Sequence, residues 1–116
     1  MLSFFSGLKI YASVEPVDLR KSFEGLSGVT REILKEDPHS GSLFLFTNRR
    51  RSRVKLLYWD TSGLWVMVKR LEKGTFFWPK KRGNSAKVVM SSESMALLLD
   101  GVDLKNGTLR PWYERD

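Results

Sequence analysis

The sequence predicts an α+β fold, a small single domain in which an antiparallel β-meander packs against one or two helices. Three observations point there. Apolar residues recur at three- and four-residue spacing after a proline break, short apolar runs separated by turn residues fill positions 42–82, and a second short helical run follows a pair of serines. The 116-residue length suits one hydrophobic core.

In order, Leu8 to Ser13 alternates Leu8, Ile10 and Ala12 against Lys9, Tyr11 and Ser13, the period of a half-buried strand. Glu15-Pro16-Val17 ends it, and Asp18 is placed to cap a helix running to about Lys35. Leu19, Phe23, Leu26, Val29 or Thr30, and Ile33 form its apolar stripe. Gly25 and Gly28 weaken it by about 1 kcal/mol each relative to alanine, unless they permit close packing on a sheet. Asp37-Pro38 and Ser40-Gly41 are turn signals.

The run Ser42-Leu-Phe-Leu-Phe-Thr47 is continuous and apolar, as in a central strand, and Asn48-Arg49-Arg50 is the expected turn after it. Strands are predicted over 53–59 and 64–71, joined by Asp60-Thr61-Ser62-Gly63 in a type I turn with Gly63 left-handed. Glu72-Lys73-Gly74 leads into a further strand over 75–78, ended by Pro79. Beyond a basic loop, 86–90 is strand-like. Ser91 or Ser92 caps a helix through Leu99, and Asp100-Gly101 stops it. In the tail, Trp112 and Tyr113 are candidates for docking back on the body.

Composition removes several function classes. With no cysteine, thiolate zinc sites, iron–sulfur clusters, disulfides and cysteine nucleophiles are all excluded. His39 is the sole histidine, too few for a histidine-based metal site. No apolar run approaches the ~20 residues that span a bilayer, and residues 1–7 lack the pattern of a signal peptide. Walker, G-x-S-x-G, H-E-x-x-H and dinucleotide motifs are absent, so no enzymatic role and no cofactor or metal are expected.

The charge is segmented. Twelve of the 20 basic residues fall between positions 49 and 87 against only Asp60 and Glu72, a local excess of +10, whereas the rest of the chain carries −3. Such an imbalance suits a polyanionic partner, and clustered arginines exceed what solubility requires. The candidate nucleic-acid-binding residues are Arg49, Arg50, Arg51, Arg53, Lys55, Lys69, Arg70, Lys73, Lys80, Lys81 and Arg82. The run 49–53 is the sharpest signal, since guanidiniums fanned from a turn can each fork onto phosphate oxygens. Its bland counterpart is a solvated turn.

The expected hairpin loop would pair Asp60 with Leu64. It would then set Trp59 opposite Trp65, Leu57 opposite Met67, and Lys55 opposite Lys69. Two facing lysines repel until an anion sits between them, and neighbouring tryptophans could stack on bases. Trp59, Trp65, Phe76 and Trp78 are therefore candidates for stacking or for an interface; the rival reading makes the tryptophan pair a small second core.

Several strings carry a resemblance. Asp18-Leu-Arg-Lys-Ser-Phe-Glu-Gly-Leu26, Leu43-Phe-Leu-Phe-Thr-Asn-Arg-Arg-Arg51, Lys55-Leu-Leu-Tyr-Trp-Asp60, Gly63 and Lys69-Arg-Leu-Glu-Lys-Gly-Thr-Phe-Phe-Trp-Pro79 are similar to the second open reading frame of the IS-sixty-six family of bacterial insertion sequences. The match runs from about Ile10 through Pro79 and extends toward Asp103; Trp65-Val66-Met67 and Thr75-Phe76 depart from the family's strings in detail. That product is the small TnpB-type accessory protein. The resemblance implies one accessory domain over 1–116, a bacterial cytoplasmic setting, and a role beside a separate element-encoded transposase that carries the catalytic acids. It supplies no catalytic residues to carry over.

Three functions are thus expected in order. The first is a non-catalytic DNA-binding accessory factor assisting transposition. The second is a protein-interaction module that docks on the transposase or on itself through Trp59, Trp65, Phe76, Phe77 and Trp78. The third is a small nuclease or phosphatase using Asp18, Asp60 and Glu72, which would require those carboxyls to converge.

Overall fold

A computed structural model describes residues 7–103 and 108–109; the tail aromatics Trp112 and Tyr113 lie outside them. The elements are β1 (Ile10–Ser13), α1 (Phe23–Glu32), β2 (Leu43–Thr47), β3 (Arg53–Trp59), β4 (Leu64–Arg70), β5 (Lys87–Met90) and α2 (Ser92–Leu99). A short antiparallel pair, β6 (Val102–Asp103) and β7 (Thr108–Leu109), follows. The first five strands form one sheet in the order β4-β3-β2-β1-β5, with β1 parallel to β2 and every other pairing antiparallel. The fold is α+β, and β2-β3-β4 is the meander.

Both sheet faces are covered, which explains why β2 reads as an unbroken apolar run: all five of its residues are buried. One face carries Ile10, Ala12, Leu43, Leu45, Val54 and Leu56 against Met95 and Leu98 of α2, with Phe76 and Trp78 filling the same layer. The other packs Tyr11, Phe44, Phe46 and Leu57 against Leu26 and Leu34. Within it Tyr11 and Phe44 stack with ring centroids 5.5 Å apart.

Five local expectations are corrected. Helix α1 begins at Phe23, and Asp18 instead closes a tight turn by accepting from the Arg20 N–H at 3.0 Å. Its stripe also shifts. Leu26 and Thr30 face the sheet while Phe23 and Ile33 are about half exposed, because the chain unwinds after Glu32 and Leu34 takes the core position. Gly25 and Gly28 do not serve close contact with the sheet: a Cβ at Gly25 would strike the Lys21 side chain at 2.7 Å, and one at Gly28 would meet nothing.

Residues 75–78 form no strand. This segment is drawn across the sheet by burial of Phe76 and Trp78, whose indole Nε1 donates to the Ser13 carbonyl at 2.6 Å. In the β3–β4 loop the left-handed residue is Thr61 (φ 81°), not Gly63. Helix α2 behaves as expected. Ser91 Oγ accepts from the Ser94 N–H, and Gly101 ends the helix at φ 82° with its N–H bonded to the Leu98 carbonyl.

Candidate nucleic-acid interface

Strand directions decide where the charge goes. Pairing places Ser13, Thr47, Arg53, Arg70 and Lys87 at a common end of the sheet. The β2–β3 loop leaves from that end. Its side-chain hub is Asn48, whose Oδ1 accepts from the Ser52 N–H at 2.9 Å and the Arg53 N–H at 3.2 Å while Nδ2 donates to Ser52 Oγ. The Arg51 N–H bonds the Asn48 carbonyl and Arg51 itself sits at φ 57°. Because Asn48 and Ser52 satisfy the loop, Arg49, Arg50 and Arg51 have no structural duty and are exposed.

The chain after β4 returns to this loop. The Leu71 N–H bonds the Ser52 carbonyl at 3.0 Å, and the Phe76 N–H bonds the Arg51 carbonyl at 2.7 Å. Lys73 is thereby held beside the arginines and is exposed, as are Arg53 and Arg70. None of Arg49, Arg50, Arg51, Arg53, Arg70 or Lys73 forms an ion pair among the described residues.

The hairpin register differs from the expected one by a single residue. Trp59 pairs with Leu64, Tyr58 with Trp65, Leu56 with Met67, Lys55 with Val68, and Arg53 with Arg70. A slip of one position exchanges sheet faces. Lys55 and Lys69 therefore point to opposite faces, where each ammonium is spent on a carbonyl. Lys55 Nζ donates to the Lys21 carbonyl at 2.9 Å ahead of α1, and Lys69 Nζ to the Leu99 carbonyl at 2.7 Å. The second contact places a cation on the C-terminus of α2, the electrostatically favoured end. The facing like charges belong instead to Arg53 and Arg70.

The tryptophans separate too. Trp59 and Trp65 lie on opposite faces at the far end of the hairpin, about 20 Å from the arginine loop at the usual rise per residue. Trp59 is half-buried, its ring 4.6 Å edge-on to His39. Trp65 is half exposed, and its indole donates to Asp60 Oδ2 at 2.7 Å. That bond, together with those from Ser62 and Gly63, holds the Asp60 carboxyl below the ordinary carboxylate range, at about 2. Phe76 and Trp78 are buried and present no ring to a base or a partner. Thus the stacking platform expected beside the lysines is not assembled.

Lys80, Lys81 and Arg82 are exposed but form a separate patch. They line a cleft of about 490 Å³ along β5, the strand at the sheet edge opposite β4. Lys87, counted in the basic excess, is neutralised internally by Glu36 at 2.6 Å and also bonds the Leu34 carbonyl.

The carboxylate set does not converge. Asp18 lies near the arginine end, clamped by the Arg20 guanidinium, which holds its carboxyl well below the usual range. Asp60 lies at the other end of β3. Among the described residues no group of three or more His, Asp or Glu side chains is placed to hold a metal, and no helix is long and apolar enough to cross a membrane.

Sequence reading missed Asn48 as the loop's hub, although an asparagine four residues before a serine, flanking an arginine run, was there to be seen. It also missed that Lys55, Lys69 and Lys87 act as internal props.

Mixed sheet, helix on each face and cationic end together define a small basic α+β protein. The chain belongs to the family described as IS66 Orf2 like protein, which matches residues 8–108. That makes it a transposition-associated accessory protein of the insertion-sequence type. Similar proteins include uncharacterized protein y4jC of Sinorhizobium fredii, 36% identical over 97 residues (84% of this chain and 81% of the relative). Uncharacterized protein y4hO of the same organism is 30% identical over 106 residues, covering 91% and 90%. No solved structure matches the chain.

Proposed function

We propose that the protein is a non-catalytic accessory factor that binds DNA in the service of transposition, gripping phosphates with the arginine end of its sheet. The supporting observation is the cluster of Arg49, Arg50, Arg51, Arg53, Arg70 and Lys73 on one end of the sheet, exposed and without carboxylate partners among the described residues. Guanidiniums in this state are hydrated and ready to exchange water for phosphate oxygens, releasing condensed counterions from the duplex. The mode is backbone contact, which positions a protein on DNA without reading sequence.

If about six phosphates are neutralised, a log–log plot of affinity against salt has a slope near −5. Fluorescence anisotropy on element-end and random duplexes, from low to physiological salt, tests this directly. Replacing Arg49, Arg50 and Arg51 with glutamine flattens the slope by about 3 units. Absence of duplex binding at low salt would overturn the reading.

A further inference from the structure

Strand β4 closes one edge of the sheet, and among the described residues it pairs only with β3. Which of its backbone groups are used follows from the ladder. The Asp60 N–H bonds the Gly63 carbonyl and the Leu71 N–H bonds the Ser52 carbonyl, so hydrogen-bonded pairs alternate inward from both ends as Tyr58 with Trp65, Leu56 with Met67 and Val54 with Lys69. The N–H and C=O groups of Leu64, Val66, Val68 and Arg70 therefore point outward from the edge. Such an open edge is a template for another strand, and natural edges are normally blunted by charge, proline or a bulge. Along 64–68 none of these is present. Val68 and Trp65 are moreover among the most exposed large apolar residues, at 59% and 51%.

We propose that β4 is a self-association edge, pairing antiparallel with β4 of a second copy about a two-fold axis at Met67. Outward amides match in only one register that uses the whole strand. Val66 then bonds Val68 of the second copy and Leu64 bonds its Arg70, while Trp65 lies opposite its Lys69 and Met67 opposite its Met67.

The side chains favour this occupant over an arbitrary strand. Val66 and Val68 cover each other, and each Trp65 meets the alkyl stem of the other copy's Lys69, whose ammonium stays on its own Leu99 carbonyl. The Lys69–Arg70 end of one copy lies toward the Asp60 turn of the other, so unlike charges approach and the arginines stay apart. The joined sheet has ten strands, with the two arginine-bearing ends on opposite sides of it.

The test is sedimentation of the full chain without DNA, together with three variants. The wild type sediments as a dimer at micromolar concentration. Val68→Pro removes an outward N–H that has no partner among the described residues, so it leaves the circular dichroism spectrum intact and yields a monomer. The chain has no cysteine, so Met67→Cys places a unique thiol about 4.5 Å in Cα separation from its copy and is trapped as a covalent dimer under mild oxidation. Val68→Cys sits about 8 Å from its own copy and cross-links at least about tenfold more slowly. A wild type that stays monomeric, a folded Val68→Pro variant that remains dimeric, or equal cross-linking of the two cysteine variants would each overturn the proposal.

Discussion

Arg53 and Arg70 stand directly opposite each other where β3 and β4 meet the arginine loop, both exposed and neither bonded to a carboxylate among the described residues. Facing like charges cost a few tenths of a kcal/mol in a sheet, and a phosphate oxygen between them would turn the repulsion into two attractions.

Arg70→Gln therefore has effects of opposite sign on stability and binding. In DNA-free protein the urea midpoint rises slightly, by about 0.2–0.5 kcal/mol in unfolding free energy. Duplex affinity falls, and the salt slope shrinks by about 1. A variant that loses stability and affinity together would show Arg70 to be a packing residue.

Trp78 tests whether the aromatics beside the basic segments pack or stack. Trp78→Phe removes the indole donor to the Ser13 carbonyl and leaves that acceptor unpaired, at about 1–3 kcal/mol; Trp78→Ala costs about 3–5 kcal/mol. Chemical denaturation reads both. The salt slope of DNA binding should be unchanged in Trp78→Phe, since the ring is buried in the core.

Asp60 ionises at about 2 in the folded chain because the Trp65 indole and the Ser62 and Gly63 amides bond its charged form. Its folded value lies below the unfolded one, so its contribution to stability is complete above the ordinary carboxylate range near pH 4. That contribution is lost as pH falls toward 2. Trp65 reports the event: a fluorescence transition with a midpoint near pH 2 is expected, and it disappears in Asp60→Asn.

Lys87 is basic in sequence but structural in place. Its ammonium bonds Glu36 and the Leu34 carbonyl with three-quarters of each ion-pair side chain out of water, and it stands 5.5 Å from the Tyr11 ring. Lys87→Met should cost about 1–3 kcal/mol in denaturant unfolding and leave DNA affinity within about twofold, the reverse of Arg50→Gln.

Much of the fold was legible locally. The alternation in β3 and β4, the continuous apolar run of β2, and the serine cap and glycine stop of α2 are statements about residues near one another in the chain, so propensity and period suffice. Legibility failed where a position was decided by distant partners. Phe76 and Trp78 have ideal strand chemistry, yet their segment gains more by filling the layer beside α2 than by adding a ladder. The hairpin was misplaced by one residue because a four-residue loop and a shifted pairing present the same alternation to a sequence reader. That single step sent Lys55 and Lys69 to opposite faces.

By itself the chain's order of residues determined a basic α+β protein with its cations crowded into one stretch, because composition and periodicity are carried by neighbours. Only tertiary structure decided which cations remain available. Strand direction gathers Arg49, Arg50, Arg51, Arg53, Arg70 and Lys73 at one end of the sheet, while the packing of helices and loops on the sheet engages Lys55, Lys69 and Lys87 with carbonyls and Glu36. The reason is physical: a carbonyl left without a backbone partner at a helix end or in a loop accepts from whichever long basic side chain the fold brings beside it, whatever the sequence neighbours suggest.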